Sequence, residues 1–490
     1  GRDPTERERW RLEREAAVDS RPAKSQGGSL AHLRWEWWER TMALGHDPRI
    51  VVQEAINRRR RLDGVDDRVV EGLTDAALGA LGDRQSSWRL AELVRELAAA
   101  TPTSVAVEAT ELTAALDRIA DEVADSRGVA LSRPVPAGAR LRRDARPITE
   151  SAVDRALTTR AILDEEEQLI GWAEQRRDPA AVRAKAQPIR FAEHLTPGQA
   201  AAVAAVADGD GLELIVGPAG AGKTMALASA VLNVAARGRI AFGVAPTAAA
   251  AEVLATETGM RADTLDKLLT EHRHPTRPPA PIYNLAKGTT VIVDEAGTAA
   301  TPKLAELARL ADQHQWRVVL VGDPRQFSAV GRGSMFAHFV DTLGAVELDR
   351  IHRFHHHWER RASLHLRNGD PAALTHYQQH GRLHGGTIGQ MESEIIEAWR
   401  EARSQDRTVA LIANTTETVP RHNQLAQHTR LAAQELHPEG PRLRVGEYSM
   451  LVGDEVVTRR NNRTLRTDQG LMVKNRDHWT ITNIHGDRSV

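Results

Sequence analysis

The first part of the chain carries apolar residues at spacings of three and four positions, as in Leu90, Leu93 and Leu97. This period is typical of amphipathic helices, because residues at these spacings share one helical face. A stretch rich in Pro and Arg, residues 132–147, interrupts the pattern and indicates a loop between two helical groups. The pattern therefore predicts an all-helical N-terminal region over residues 1–190.

After Thr196 the pattern changes to short β-rich runs separated by helical stretches. The runs read LELIVG, RIAFGVAP, TTVIVDEAG and WRVVLVGDP, and each ends in Gly, Pro or acidic residues. Apolar strands that alternate with helices are typical of a parallel sheet with crossover helices, which makes the fold class α/β. The run RTVALIANT at residues 407–415 predicts that a similar sheet restarts there. The last 50 residues alternate strands and turns, which predicts a small β-barrel or hairpin insertion.

Composition excludes several classes of protein. The 490 residues include no cysteine, which rules out disulfides, thiolate metal sites and cysteine nucleophiles. No run approaches the ~20 apolar residues that span a bilayer. The charged N-terminus has no apolar segment behind it, so we expect a cytoplasmic protein without membrane insertion. The net charge of −1 gives no bulk electrostatic argument for nucleic acid binding.

One motif carries strong chemical information. The stretch GPAGAGKT fits the pattern G-x-x-x-x-G-K-[ST] and lies between a predicted strand and an Ala-rich helix. Its backbone N–H groups can surround phosphates, its lysine can neutralise the β and γ oxygens, and its threonine can ligate Mg²⁺. We expect ATP and Mg²⁺ as cofactors. The predicted phosphate-binding loop comprises Gly217, Pro218, Ala219, Gly220, Ala221, Gly222, Lys223 and Thr224.

Two further strands end in polar residues that suit the same site. The run VIVDE delivers Asp294, expected to hold Mg²⁺ together with Thr224, and Glu295, expected to polarise the attacking water. The run VVLVGDPRQF delivers Gln326, which we expect near the γ-phosphate or its water, and Arg325, which we expect to pair with Asp or Glu across the site. Ligands of open α/β sheets bind at the carboxyl ends of the strands, so these residues should converge.

The P-loop, DEAG and GDPRQF, in this order and spacing, resemble superfamily 1 helicases, specifically the RecD-like branch that moves 5′ to 3′. That resemblance implies tandem RecA-like domains around ATP. It also implies that Gln199 in LTPGQAAAV reads the adenine. In LDRIHRF it assigns Arg353 to the γ-phosphate, with Arg350 as the nearby competitor for that role.

The same resemblance implies contacts to single-stranded DNA. Pro246 and Thr247 in GVAPTAAAAEVL match one motif that contacts DNA phosphates, and Thr264 in ADTLDKLL matches the next. Asp266 stands where many relatives have His, which is a departure from the pattern at that contact.

The segments RPITESAVDRALTTRAILDEEEQLIGWAE, LVGDEVVTRRNNRTL and NRDHWTITNI extend the resemblance to conjugative relaxase-helicases of the TraA, TrwC and TraI type, over most of residues 75–490. The implied partners are single-stranded DNA and a relaxase domain or the conjugative (type IV) secretion machinery. The implied order is a helical region over 1–190, a first RecA-like motor domain over 191–343, the start of a second over 344–440, and an incomplete SH3-like β-rich insertion over 441–490.

That family carries an N-terminal nicking domain with a catalytic tyrosine and a three-histidine metal site. The tyrosines of this chain, Tyr283, Tyr377 and Tyr448, are all distant from the N-terminus, so we expect the nicking domain to be missing. Two late motor motifs do not occur before Val490, which predicts a truncated chain whose second motor domain is incomplete.

The sequence bears on two functions other than that of a DNA motor. A nucleotide- and DNA-binding module without motor activity fits the same first-domain motifs, whereas GDPRQF and the restarted sheet disfavour a P-loop kinase.

We interpret His355–His357 as a solvated cluster, Trp35, Trp37 and Trp38 as helical core, and the basic run Arg58–Arg61 as a solvated helix end. Arg459, Arg460 and Arg463 are candidates for DNA contact, with a solvated turn as the equal alternative.

Overall fold

The computed structural model describes residues 30–50, 67–102, 108–131, 138, 140, 156–178, 187–190, 194–274, 276–327, 331–333, 335–348, 350, 351, 353–437, 439–446, 448–468, 470 and 472–485. The basic run Arg58–Arg61 and most of the predicted loop at 132–147 lie outside these residues. The chain divides into two compact units, one of residues 1–80 and 89–127, the other of residues 81–88 and 128–490.

The first unit is helical in its described part. Its helices are α1 (Leu30–Ala43), α2 (Asp67–Arg84, whose end belongs to the second unit), α3 (Leu90–Ala100) and α4 (Ala109–Arg127). Leu93 and Leu97 of α3 are fully buried, as the spacing of apolar residues predicts. The interpretation of the tryptophans of α1 as core is wrong, because Trp35 and Trp37 are 58% and 57% exposed. Residues two positions apart point to nearly opposite sides of a helix, so Trp35 and Trp37 cannot belong to one apolar stripe.

The second unit is built on a six-stranded parallel sheet, and the four runs that predicted strands all form strands. The strands are β3 (Leu212–Val216), β4 (Ala241–Ala245), β5 (Arg261–Thr264), β6 (Thr290–Val293), β7 (Arg317–Gly322) and β8 (Val346–Glu347). Their order in the sheet is β5-β4-β6-β7-β3-β8. The helices between and around them are α5 (Arg160–Arg176), α6 (Pro197–Asp208), α7 (Lys223–Ala236), α8 (Ala248–Thr258), α9 (Leu265–His272), α10 (Thr301–His314) and α11 (Met335–Leu343).

Helices cover both faces of this sheet, which explains why its strands are apolar along their whole length. On one face Leu214 and its neighbours pack against α5, α9, α10 and α11. On the other face Ile215, the next residue of the same strand, packs against α6, α7 and α8. Because Leu169 and Ala173 of α5 lie in the first of these cores, that helix is part of the layer that supports the sheet.

The region expected to be helical also contains a small antiparallel pair. Strand β1 (Gly128–Ala130) pairs with β2 (Leu157–Thr159), in the register Val129 opposite Thr158. The prediction of an all-helical region is therefore wrong at this point, because two widely separated short segments pair with each other and neither carries a local strand pattern.

Four helices follow β8 in the described residues: α12 (His357–Arg367), α13 (Ala372–Gln379), α14 (Ile388–Ser404) and α15 (Thr418–Ala432). The strand predicted over 407–415 is not formed, and Ile412 is 86% exposed. A strand of this composition is stable only when other strands pair with it and helices cover it. The described part of residues 350–440 contains no strand at all, so the prediction that a second sheet starts here is wrong.

The C-terminal segment is β-rich, as predicted. Its strands are β9 (Arg442–Val445), β10 (Tyr448–Leu451), β11 (Glu455–Val457), β12 (Asn462–Arg466), β13 (Met472–Val473) and β14 (His478–Thr480). They form three antiparallel pairs, β9 with β10, β11 with β14, and β12 with β13. Arg459 and Arg460 are exposed, and Arg463 lies in β12. Among the helices of the described residues, none has the length and apolar content needed to cross a bilayer.

Candidate nucleotide-binding site

The P-loop lies at the carboxyl end of β3, between β3 and the first turn of α7. The N–H of Gly217 donates to the Gly322 carbonyl at 3.0 Å, which ties the loop to the end of the neighbouring strand β7. Gly220 and Gly222 have φ values of +81° and +78°. Only glycine adopts this backbone region at little cost, so the loop needs glycine at these positions.

Lys223 points back across the loop. Its Nζ donates to the Gly217 carbonyl at 3.1 Å and lies 3.7 Å from Glu295 Oε1. Thr224, the next residue, is half-buried in the first turn of α7. Ammonium, backbone amides and the N-terminus of α7 are together suited to a polyphosphate.

Asp294 and Glu295 follow β6, and their backbone is unusual. Glu295 has φ of 51°, a left-handed conformation that costs a non-glycine residue roughly 1–3 kcal/mol. Its N–H donates to Asp294 Oδ1 at 2.9 Å. Burial, together with the neighbouring Glu295 charge, raises the pKa of Asp294. Two adjacent carboxylates near a single ammonium have the chemistry of a divalent cation site, so this donor set fits Mg²⁺.

The loop after β7 leaves the Gln326 side chain exposed, and within the described residues no hydrogen bond joins it to Lys223. Gln326 and Arg325 are exposed, and their described contacts are main-chain N–H bonds to Asp323, Arg325 to Oδ1 at 3.1 Å and Gln326 to the carbonyl at 3.2 Å. The pairing expected for Arg325 is made by Arg367 instead, which donates to both carboxylate oxygens of the buried Asp323. Arg367 was missed in the sequence because no motif marks it.

Arg353 lies against the P-loop through its backbone. A Cβ added to Gly220 would overlap the Cβ of Arg353 and come within 3.2 Å of its N atom. Leu348, which follows β8, is buried against the same loop, and its N–H donates to the Val216 carbonyl at 2.8 Å. Arg350 is exposed. Of the two arginines, therefore, Arg353 is the one with a described contact to the loop.

Gln199 lies behind the loop at the start of α6. Its side chain accepts from the N–H of Thr196 at 3.0 Å, while the Thr196 hydroxyl accepts from the N–H of Gln199, which makes a capping box. Its Nε2 lies 3.4 Å and 3.5 Å from the carbonyls of Ala221 and Gly222. The buried glutamine thus connects the end of the P-loop with the helix that precedes β3.

The residues expected to contact DNA lie at the same edge of the sheet, on β4 and β5. Pro246 and Thr247 are exposed after β4, and Thr264 ends β5. Both threonines cap a helix, because their hydroxyls accept from Ala250 N and Lys267 N. Asp266, which stands where many relatives have His, forms an ion pair: Lys303 donates to its carboxylate at 2.8 Å.

The histidines 355–357 are exposed, and the described residues contain no group of three or more acidic or histidine side chains arranged for a metal. A parallel sheet with a glycine-rich phosphate loop, a catalytic-type acidic pair and converging strand ends defines the class as a P-loop NTPase.

Comparisons with known proteins narrow that class. Residues 194–388 match a family model described as an AAA domain. A conjugal transfer protein TraA of Rhizobium radiobacter is 30% identical over 285 residues, which is 57% of this chain and 25% of that protein. The RecBCD enzyme subunit RecD of Mycolicibacterium smegmatis is 29% identical over 270 residues, or 47% of each protein. A Pif1 helicase structure from Candida albicans aligns with 60% of this chain and 70% of its own, at 15% identity and a TM-score of 0.32.

These sequence matches agree with the resemblance drawn from the motifs, because the chain is similar both to conjugal transfer proteins TraA and to a RecD subunit. The chain spans about a quarter of the length of the TraA relatives it matches.

Proposed function

We propose that this chain contains an ATP-driven motor that moves 5′ to 3′ along single-stranded DNA and serves conjugative DNA transfer. The observation that carries the proposal is the arrangement of Lys223, Asp294 and Glu295 at one edge of the sheet, with Thr247 and Thr264 at the same edge. When a nucleotide site and a DNA site lie at the same edge of a sheet, a small movement of the strand ends at one site can shift the strand ends at the other.

The nucleotide would be held by the P-loop. Its backbone N–H groups and Lys223 face the phosphates, while Thr224 and Asp294 hold Mg²⁺. When bound, ATP supplies a phosphoanhydride bond whose hydrolysis releases free energy. Lys223 then has two roles, because the ammonium that neutralises phosphate oxygens also lies 3.7 Å from Glu295 Oε1 and can hold that side chain in place.

Hydrolysis would depend on residues from several segments. Glu295 orients the attacking water and accepts its proton, and Gln326 holds the water or a γ-phosphate oxygen. Arg353, whose backbone lies on Gly220, supplies positive charge to the γ-phosphate. Gln199 would recognise the adenine, and for that it has to leave the capping box with Thr196.

Single-stranded DNA would lie along the ends of β4 and β5. The hydroxyls of Thr247 and Thr264, next to the N-termini of α8 and α9, suit phosphate oxygens. The N–H of Asp294 donates to the Val244 carbonyl at 2.9 Å, three residues before Thr247. This bond gives the metal-binding strand end a direct connection to the DNA-binding strand end. Exposed Arg459 and Arg460 add positive charge for DNA in the β-rich segment.

As partners we propose single-stranded DNA together with a relaxase domain or the secretion machinery of conjugation. The support is the similarity to conjugal transfer proteins TraA.

A second candidate is a nucleotide- and DNA-binding module without motor activity. One observation favours it: residues 407–415 do not form the strand of a second sheet, and Ile412 is exposed. A motor of this class needs two domains that close over one nucleotide.

The test is ATP turnover with and without single-stranded DNA. The chain is compared with Lys223→Ala and with a matched control, Lys287→Ala, whose exposed side chain lies before β6. The motor proposal predicts turnover that rises with DNA in the wild type and the control and falls at least about 100-fold in Lys223→Ala. Nucleotide and DNA binding without turnover would favour the second candidate. Absence of nucleotide binding in the wild type would contradict both.

A further inference from the structure

We propose that Arg367 is a positioning residue: through Asp323 it fixes the loop that carries Gln326 and connects this loop to helix α12. The conformational part of this proposal stands on its own. The part that concerns turnover rests on the proposed ATPase function.

The contact between the two side chains is extensive. Arg367 Nε lies 3.1 Å and 3.0 Å from the two oxygens of Asp323, and Nη2 lies 2.7 Å from Oδ1. The carboxylate is 2% exposed, whereas the guanidinium side chain is 22% exposed. A planar guanidinium can hold both oxygens of a carboxylate in one orientation, which a lysine ammonium cannot do.

Asp323 in turn shapes the loop that follows β7. Its Oδ1 accepts from the N–H of Arg325, and its carbonyl accepts from the N–H of Gln326. A rotation of the Asp323 carboxylate would therefore break the bond to Arg325 and loosen the turn that presents Gln326. Because a buried carboxylate without a cation is costly, the loop keeps this conformation only while Arg367 is in place.

The same aspartate also contacts the turn after Glu295. A Cβ added to Gly297 would lie 3.2 Å from the Asp323 carbonyl oxygen. The turn of residues 296–298 and the end of β7 are thus packed backbone to backbone. A shift of Asp323 would be transmitted to the segment that holds Glu295 in its left-handed conformation.

Helix α12 has an attachment to the site near each end. Arg367 is its last residue, and Arg353, which lies against Gly220, precedes its first residue by four positions. The helix is about 16 Å long at 1.5 Å per residue. A movement of α12 relative to the sheet has to change the P-loop contact, the Gln326 loop or both. The Asp323–Arg367 pair is therefore the point at which the helical region after β8 acts on the hydrolysis loop.

The experiment uses the full chain with the variants Arg367→Met, Arg367→Lys and Asp323→Asn, and the double variant Arg367→Met with Asp323→Asn. Arg361→Met is the matched control, because Arg361 is exposed on the same helix. The hydrogen-exchange rates of the Arg325 and Gln326 amides measure directly how firmly the loop is held in this conformation. Nucleotide affinity, KM and kcat are measured on the same proteins.

Arg367→Met is expected to speed exchange of these two amides about tenfold or more, because the bond from Arg325 to the Asp323 carboxylate is lost and the turn that holds both amides is loosened. It should lower kcat about 10-fold to 100-fold while KM and nucleotide affinity stay within about twofold, since a misplaced group affects the transition state more than binding. Arg367→Lys should recover part of the protection. The double variant should be no worse than Asp323→Asn, because the two residues act through one contact.

Unchanged exchange at Arg325 and Gln326 in Arg367→Met would overturn the proposal, as would a change in KM with kcat preserved. If the wild type does not hydrolyse ATP, the proposed function fails by itself, and the exchange comparison still decides whether Arg367 fixes the loop.

Discussion

The Nζ atom of Lys223 lies 3.7 Å from Oε1 of Glu295, so the residue expected to neutralise the phosphate oxygens and the residue expected to polarise the water form an ion pair. Glu295 reaches this position only because its backbone adopts φ of 51°. An unfavourable conformation of this kind persists where surrounding bonds enforce it. Here the bonds are those of Asp294 Oδ1 with the Glu295 N–H and of the Glu295 carbonyl with the Thr298 hydroxyl at 2.8 Å.

Glu295→Gln is expected to lower ATP turnover about 100-fold or more, because an amide has the shape of the carboxylate but cannot accept a proton from water. Nucleotide affinity should stay within about threefold, since Lys223 and the P-loop remain. Turnover and binding of a fluorescent ATP analogue are measured together. Glu257→Gln removes the same charge from an exposed position close enough to influence Asp294 and serves as the control. Equal turnover in the two variants would contradict the role of Glu295.

Gly220→Ala is expected to displace Arg353 from the P-loop, because the new Cβ would overlap the Arg353 Cβ. The control is Gly238→Ala. Both glycines have positive φ, +81° and +70°, but nothing lies within 4 Å of a Cβ at Gly238. Each substitution should cost about 1–2 kcal/mol of folding free energy from backbone strain alone. Only Gly220→Ala should also lower kcat, by about tenfold. Similar kcat values in both variants would show that the contact with Arg353 does not matter for turnover.

Thr247→Ala is expected to weaken single-stranded DNA binding and to cost about 1 kcal/mol of stability, because the hydroxyl that caps α8 by accepting from Ala250 N is lost. Thr247→Ser keeps the hydroxyl and should restore both properties. Thr387→Ala removes a comparable cap, to Gln390 N at the start of α14, and controls for the loss of stability. Fluorescence anisotropy with a labelled oligonucleotide and thermal unfolding give the two readouts. DNA affinity that falls equally in Thr247→Ala and Thr387→Ala would argue against a DNA contact at Thr247.

The parts of the site that the sequence predicts are those encoded by short contiguous patterns. The P-loop, Asp294 and Glu295 each follow an apolar run directly, and such a run stands out because it is apolar throughout and ends at turn residues. Arg367 could not be found in this way. Its partner Asp323 lies 44 residues earlier, and an arginine at the last position of a helix is common for reasons of helix dipole alone.

The strand predicted at 407–415 shows the opposite case, in which a local pattern is present but the structure it predicts is not formed. Its local composition favours a strand, yet a strand needs partners, and whether they are present is a property of the fold. The prediction that Trp35 and Trp37 are core fails for a related reason. An aromatic residue in a helix is buried only if another element covers that face of the helix, and both side chains are more than half exposed.

The stability of the second unit is expected to fall between pH 7.5 and 5.5, partly because of His314. Its ring stacks on Trp316 with centroids 4.9 Å apart and lies 5.0 Å from the ring of His272. Burial, together with His272, lowers the pKa of His314 below its ordinary value of 6.5. The unfolded chain therefore binds a proton more readily than the folded chain, so the stability contribution is present above about pH 6.5 and is lost as the pH falls below it.

His314→Phe keeps a flat ring on Trp316 and removes the titrating group. The drop in melting temperature between pH 7.5 and 5.5 should then be smaller than in the wild type, by about 2–4 °C. His338→Phe, at an exposed position on α11, is the control and should leave the drop unchanged. Differential scanning fluorimetry at matched ionic strength measures all three proteins. An equal drop in the wild type and His314→Phe would mean that the acid sensitivity arises elsewhere, since Phe at position 314 cannot be protonated.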